Sequence, residues 1–350
     1  MLYSLARPLL FSLDPETAHE VTLRLARFSP RARPFSAPVR AMGIDFPNPV
    51  GLAAGLDKHA QHVRTLASMG FGYLELGGVT PRPQPGNPPP RLFRLPEARA
   101  IINRLGLNSI GVEAFAENLR RARASGAVGA AVIGVNIAKN RDTPNERAVD
   151  DYLRCMEVLY PLVDYLSVNV SSPNTRGMRA LQSAETLASI LQSLVSLRER
   201  LRDRHGRNVA IALKISPDID DAAIRDIAEA ARRSHVDGII ATNTTVTRDA
   251  VAAMRHGAEE GGLSGEPLRG RAAAVLEKLS VHVKNELSLI GCGGIMSGLD
   301  AQARFRAGAA LLQIYSGLVY RGPRLIRECV VAYGLKAAGT AETTQAARPH

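Results

Sequence analysis

Short apolar, β-branched runs alternate with longer segments of helical spacing through most of this 350-residue chain. This alternation limits the possible folds more than any other feature of the sequence. The runs end near Leu52, Leu76, Asn136, Asn169, Lys214, Thr242, Gly291 and Tyr315. Most are followed by Gly, Asn, Ser or Thr and then by a helical pattern. Eight such βα units predict an α/β fold, a (β/α)8 TIM barrel whose parallel sheet closes on itself. Length alone would allow two domains, but α/β barrels of this size often form one. Catalytic residues of such barrels sit at the C-terminal ends of the strands, and the polar residues discussed below fall there.

Two segments stand outside the repeat. Residues 1–38 precede the first strand and predict a small helical domain. Ala18, Val21, Leu25 and Phe28 follow helical spacing, with Asp14 or a neighbour as N-cap and Pro15 in the first turn. Leu2, Leu5, Leu9, Leu10 and Phe11 form a second apolar cluster. Residues 81–107 open with PRPQPGNPPP, whose prolines stiffen the backbone, and predict a hairpin capping the barrel mouth. The barrel spans 39–336. The Ala/Thr-rich segment 337–350 predicts a disordered tail.

The formal net charge of +11 is carried mostly by arginines spread along the chain. It fits simple solubility, or attraction to anionic substrates or an anionic membrane surface. No basic run with interleaved aromatics points to nucleic acid. Cys155, Cys292 and Cys329 are isolated, which argues against a metal site or a disulfide framework and fits a reducing compartment. No stretch of about 18 apolar residues predicts a transmembrane helix, and the N-terminus lacks the pattern of a secretory signal.

The chemistry concentrates at the strand ends. GCGGI (Gly291 to Ile295) and QIYSG (Gln313 to Gly317) end the seventh and eighth strands, where small residues let backbone N–H groups reach a phosphate. GGLSG (Gly261 to Gly265) supplies another Gly-rich loop. A bare GG pair is more often a simple turn. SVNVSSPNT (Ser167 to Thr175) is the most specific string. Its asparagines offer donors and acceptors to a planar pyrimidine or flavin edge. Ser172 has no His nearby in sequence, so a Ser-His-Asp hydrolase is poorly supported. Lys214 closes the fifth strand, where an unpaired buried ammonium would be costly. It suits a Schiff base or an electrostatic partner for an anion. Lys58, in AAGLDK, suits a substrate carboxylate, and TNTT (Thr242 to Thr245) adds hydrogen-bonding groups. His59 and His62 read as helix-surface residues, and Cys292 as a packing residue. Arg31, Arg33 and Arg40 read as a solvated face or as lipid contacts.

AAGLDK, GVTPRPQPGNPPPRLFRL, INRLGLNS, NIAKN, SVNVSSPNT, LKISPD, ATNTT, GGLSG, CGGI and YSG occur in the order found in class 2 dihydroorotate dehydrogenases. The chain resembles that quinone-dependent, membrane-associated family from about Leu2 to Leu335. The resemblance implies FMN held by Ala54, Gly55, Leu56, Asp57, Lys58, Gly78, Asn136, Asn169, Lys214, Thr242, Gly265, Gly294, Tyr315 and Ser316. It implies dihydroorotate held by Lys58, by the loop Asn103, Arg104, Leu105, Gly106 and Leu107, and by Asn169, Asn174, Asn243 and Thr244. Ser172 matches the catalytic base, where class 1 relatives place Cys. His19, Arg94 and Tyr315 match positions near the quinone. The implied location is the cytoplasmic face of the cell membrane, bound peripherally. No metal site is implied.

Three positions depart from the family pattern. Gly78 stands where Thr or Ser is usual, Leu107 replaces Phe, and Ala138 replaces Gly in NIGKN. The implied cycle has Ser172 taking a proton from C5 of dihydroorotate, helped by hydrogen bonds or a proton-relay water for which Thr175 is placed. The asparagines stabilise charge on the pyrimidine carbonyls. Two rivals stay open: a cofactor-free barrel with Lys214 as Schiff-base lysine, and a non-catalytic phosphate-binding barrel.

Overall fold

The computed structural model describes residues 2–28, 32, 35–175 and 177–346, with backbone only for Leu2 and 336–346. Arg31 and Arg33 lie outside the described residues. The chain begins with α1 (Leu2–Ser12) and α2 (Pro15–Ala26). The Asp14 carboxylate caps α2 by accepting the N–H groups of Glu16 and Thr17, donors that a helix start otherwise leaves unsatisfied. An antiparallel hairpin follows, β1 (Val39–Ala41) and β2 (Ile44–Phe46).

The order then runs β3 (Val50–Leu52), α3 (Val63–Ala67), β4 (Tyr73–Val79), β5 (Leu92–Leu95), β6 (Ala100–Asn103), α4 (Val112–Ala124) and β7 (Val132–Ile137). Next come α5 (Ala148–Leu159), β8 (Tyr165–Asn169), α6 (Ala184–His205), β9 (Ala210–Ile215), α7 (Asp221–Arg233), β10 (Gly238–Ala241) and β11 (Gly262–Gly265). The chain ends with α8 (Arg269–Val283), β12 (Ser288–Cys292), α9 (Gly298–Arg306), β13 (Leu311–Ile314), α10 (Ser316–Arg321) and α11 (Arg324–Ala346). α11 thus continues through most of the segment whose composition suggested disorder. Residues 347–350 lie outside the described residues.

Eight strands close into a barrel in the order β3-β4-β7-β8-β9-β10-β12-β13, every neighbouring pair parallel. The expected strand ends fall within one residue of these, except that β4 continues past Leu76 to Val79.

The barrel interior is layered because inward side chains recur every second residue. Tyr73 and Tyr165 fill the lower layer with ring centroids 6.3 Å apart, and Phe46 meets Tyr73 edge-on at 5.2 Å. Two strand glycines make room for them. A Cβ on Gly51 would come within 2.2 Å of the Tyr73 ring, and one on Gly134 within 2.0 Å of the Tyr165 ring. The β1–β2 turn closes the floor, where Met42 N–H donates to Ser288 Oγ at 2.9 Å. Two residues higher, Glu75, Asn136, Ser167, Lys214 and Gln313 form a buried polar layer. Outside the barrel, Tyr152, Cys155, Met156 and Leu159 of α5 are fully buried against the strands, each contributing about 1.5–3 kcal/mol where apolar.

β5 and β6 pair antiparallel, and β11 adds a third strand to them. GGLSG is therefore mainly a strand rather than a loop, with Gly265 at its end facing the cleft. The pattern hid this because its partner lies 159 residues away, Asn103 opposite Gly262.

Candidate active site

The barrel opens at its C-terminal rim into a cleft to which all eight strands or the loops after them contribute. Ala54, Gly55 and Lys58 follow β3, and Gly78 lies on β4. Asn136, Asn169 and Lys214 come from β7, β8 and β9. Ser172, Pro173 and Asn174 follow β8, and Thr242, Asn243 and Thr244 follow β10. Gly293 and Gly294 follow β12, and Tyr315 and Ser316 follow β13. Asn103, Leu105, Gly106 and Leu107 of the hairpin arm, with Gly265, form the roof.

The polar groups are ordered by one another. Asn169 Nδ2 donates to Asn136 Oδ1 at 3.0 Å, and Asn136 Nδ2 to Ser167 Oγ at 2.9 Å. Asn243 Nδ2 donates to Ser171 Oγ at 3.0 Å, and Ser171 Oγ in turn to the Lys214 carbonyl at 2.8 Å. Such a network fixes amide orientations before any ligand arrives. Ser172 is buried, and its hydroxyl accepts the Asn174 N–H at 3.3 Å. Among the described residues no histidine bonds to it, so a hydrolase triad is absent there. Thr175, three residues after Ser172, is buried and does not line the cleft.

Charge decides what the cleft can hold. Among the described residues its lining contains two lysines and no carboxylate. Burial, with repulsion from Arg91, pushes the Lys58 ammonium down to about 8, and Glu16 opposes the shift. Burial, the largest single effect, disfavours charge on Lys214, but the Glu75 carboxylate, through charge and a hydrogen bond, and to a lesser degree Cys292 together hold the ammonium above its ordinary value. A lysine kept charged is a poor Schiff-base nucleophile. At one end, Gly293 and Gly294 turn with positive φ, and a Cβ on Gly294 would stand 2.2 Å from Arg269 Cα. The loop therefore packs directly on the start of α8, whose N-terminus adds favourable dipole for an anion. Arg304, itself buried, donates to the Gly293 carbonyl at 3.0 Å and holds the loop from below. A phosphate end, an amide-rich end and a central cation fit FMN beside an anionic pyrimidine.

Three residues named from the sequence as FMN or dihydroorotate ligands do not line this cleft. Asp57 is buried and accepts the N–H groups of His59, Gln61 and His62, shaping the loop after β3. Arg104 pairs with Glu259 at 2.6 Å and lies over the Phe93 ring. Leu56 faces a second cavity. His59 and His62 precede α3 rather than sitting on its surface, and His62 lies close enough to His19 to lower its basicity alongside burial. Arg40 is exposed and pairs with Asp45 at 3.2 Å, a solvated contact. Cys292 is buried and lines the cleft, with burial pushing its thiol up. Glu75 went unremarked in the sequence, although one acidic residue inside the apolar run GYLELGG was its signal.

The second cavity, about 460 Å³, lies between α1, α2 and the barrel. Its lining is apolar apart from a few groups that include Tyr3, His19 and Arg94. Arg94 donates to the carbonyls of Leu10 at 3.0 Å, Phe11 at 3.3 Å and Leu13, capping the end of α1. Tyr315, Leu92 and Ile101 line both spaces, so one wall separates cleft from cavity.

Residues 36–334 match the family model described as dihydroorotate dehydrogenase. The chain belongs to that family. Curated relatives named dihydroorotate dehydrogenase (quinone) include one from Thiobacillus denitrificans, 54% identical over 337 residues and covering 94% of this chain and 98% of its own. Another, from Aromatoleum aromaticum, is 52% identical over 337 residues, with 95% of each chain covered. Among solved structures, Eimeria tenella DHODH in complex with ferulenol superposes with a TM-score of 0.87 at 37% identity, with 93% of each chain covered. In this dihydroorotate dehydrogenase Gly78 and Leu107 face each other. A Cβ on Gly78 would lie 3.1 Å from Leu107 Cδ2 and 3.2 Å from Asn136 Oδ1.

Proposed function

We propose that this chain oxidises (S)-dihydroorotate to orotate with FMN as its cofactor and passes the electrons to a quinone, a step of de novo UMP synthesis. The observation that carries this reading is the cationic cleft, with no carboxylate among its described lining residues, sharing the Tyr315 wall with an apolar cavity. FMN, when bound, takes up the two electrons of the oxidation and releases them to the acceptor. Its phosphate suits Gly265, Gly294 and Ser316, and its ring suits Ala54, Gly55, Gly78, Asn136, Asn169, Lys214 and Thr242. Lys58 pairs with the substrate carboxylate. Asn103, Asn169, Asn174, Asn243 and Thr244 hold the pyrimidine edges, and the backbone at Leu105 to Leu107 closes over them. Ser172 Oγ takes the C5 proton. As it does so the hydroxyl gives up its own proton to a relay water, for which Thr175, three residues on, is placed in the sequence.

His19, Arg94 and Tyr315 suit the quinone headgroup, with α1 and α2 as the entry. Leu5, Leu9 and Phe28 on this side are 78%, 71% and 73% exposed, Arg27 lies over the Phe28 ring, and Arg24, paired with Glu20 at 3.3 Å, is on α2. Apolar side chains with nearby cations suit peripheral contact with an anionic leaflet, on the cytoplasmic side. Arg7 is not among these cations, because it donates to the Tyr320 carbonyl at 2.7 Å. Among the described residues no helix is long and apolar enough to cross a membrane.

The test uses the purified full chain under anaerobic conditions. Its visible spectrum should be that of FMN, dihydroorotate should bleach it, and a long-chain quinone should restore it. A colourless protein, or one bleached by a nicotinamide nucleotide instead of dihydroorotate, overturns the reading.

A further inference from the structure

Glu75 is fully buried beneath the cleft and lines none of it. Four donors converge on its carboxylate. Oε1 accepts Lys214 Nζ and Asn136 Nδ2, each at 3.3 Å. Oε2 accepts Tyr165 OH at 3.0 Å and Gln313 Nε2 at 2.6 Å. Gln313 Oε1 also accepts Lys214 Nζ at 3.4 Å. Three of these donors, Lys214, Asn136 and Gln313, line the cleft on their other side. We propose that Glu75 is the positioning residue that keeps Lys214 a cation beneath the bound FMN, and so fixes how many protons accompany its reduction. The inference rests on FMN occupying the cleft.

The physical argument starts from burial. The Lys214 side chain is 7% exposed and that of Glu75 0%. A lysine so enclosed gives up its proton unless an anion stands beside it. The other groups around the pair cannot serve. Burial holds the Cys292 thiol and the Tyr73 and Tyr165 phenols in their neutral forms, and Arg304, beyond Cys292, is itself a cation. Among the described residues Glu75 is the one carboxylate in contact with Lys214. With Glu75 in place the ammonium is present before and after the electrons arrive, so it favours the electron-rich ring without itself exchanging a proton. Reduction then takes up two electrons and one proton. Without the carboxylate, Lys214 is neutral while the ring is oxidised and recruits a proton when it is reduced, giving two electrons and two protons.

Two measurements on the FMN-loaded protein test this. The chain has six lysines, so the Lys214 signal in a 13C-lysine NMR titration can be assigned with Lys214→Arg. In the native protein it should titrate above the ordinary lysine value of about 10.4. In Glu75→Gln it should fall below that value. The reduction potential of the bound flavin should change by about 30 mV per pH unit natively, since a tenfold change is about 30 mV in a two-electron couple. In Glu75→Gln the dependence should steepen to about 60 mV per pH unit over the neutral-to-alkaline range. Glu75→Asp, which keeps the charge, should retain the shallow dependence. An unchanged slope in Glu75→Gln, or an aspartate variant that behaves like the glutamine one, overturns the proposal. If Glu75→Gln fails to fold, the native titration decides, and a Lys214 signal that titrates below the ordinary range is fatal. Purified protein without FMN would instead defeat the functional reading, and the Lys214 titration would still be readable.

Discussion

Asn174 Nδ2 donates to Asn103 Oδ1 at 3.1 Å, joining the loop after β8 to the hairpin that roofs the cleft. The two residues stand 71 positions apart, on separate walls of the mouth. The bond ties the wall carrying Ser172 to the wall carrying Leu105 to Leu107. Asn174→Ala should weaken orotate binding by about tenfold, the size of one hydrogen bond of about 1.4 kcal/mol. FMN content should not change. A titration of the flavin absorbance with orotate reads both, and undiminished affinity would remove Asn174 from the substrate site.

Ser172→Ala should leave FMN and orotate binding close to native and slow flavin reduction by dihydroorotate about 10²–10⁴-fold, the usual worth of a positioned base. Stopped-flow absorbance under anaerobic conditions measures it. Reduction at the native rate would show that another group takes the C5 proton.

Lys58 makes orotate binding depend on pH. Burial and Arg91 lower its ammonium from 10.5 to about 8, so in the free protein it is charged below about 8 and neutral above. Affinity for the orotate carboxylate should be flat below that pH and fall up to tenfold per unit above it. Stability runs the other way. Between about 8 and 10.5 the unfolded chain holds the proton that the folded chain has lost, so this group's contribution improves as pH rises through the window. Lys58→Met should flatten both profiles. An orotate titration of the variant that keeps the native break near 8 would assign the break elsewhere.

Removing residues 1–38 should spare flavin reduction by dihydroorotate, because Lys58, Ser172 and Lys214 all lie on the barrel. Turnover with a long-chain quinone should drop severely, along with binding to anionic vesicles. Arg94→Ala is the milder probe. It frees the carbonyls at the end of α1 and should lower quinone turnover while leaving the first half-reaction intact. Full quinone turnover in the truncated protein would separate the second cavity from the acceptor.

The sequence by itself determined the barrel and most of the cleft. Parallel strands buried on both faces must be continuous apolar runs, so Leu52, Asn169 and Lys214 could be placed to within a residue. The motifs at their ends carry the polar groups because local backbone turns expose them there. Asp57 and Arg104 were grouped with the ligands because they stand inside motifs, yet their side chains serve the loops that carry the motifs. Only the tertiary structure decided that GGLSG is a strand, that Gly78 faces Leu107, and that Glu75 stands under Lys214. Strand pairing and charge pairing across a barrel join residues 139 positions apart, as Glu75 and Lys214 are. No local period records which residues will meet. Barrel closure brings the inward positions of β4, β7, β8, β9 and β13 into one layer, where their charges must be balanced.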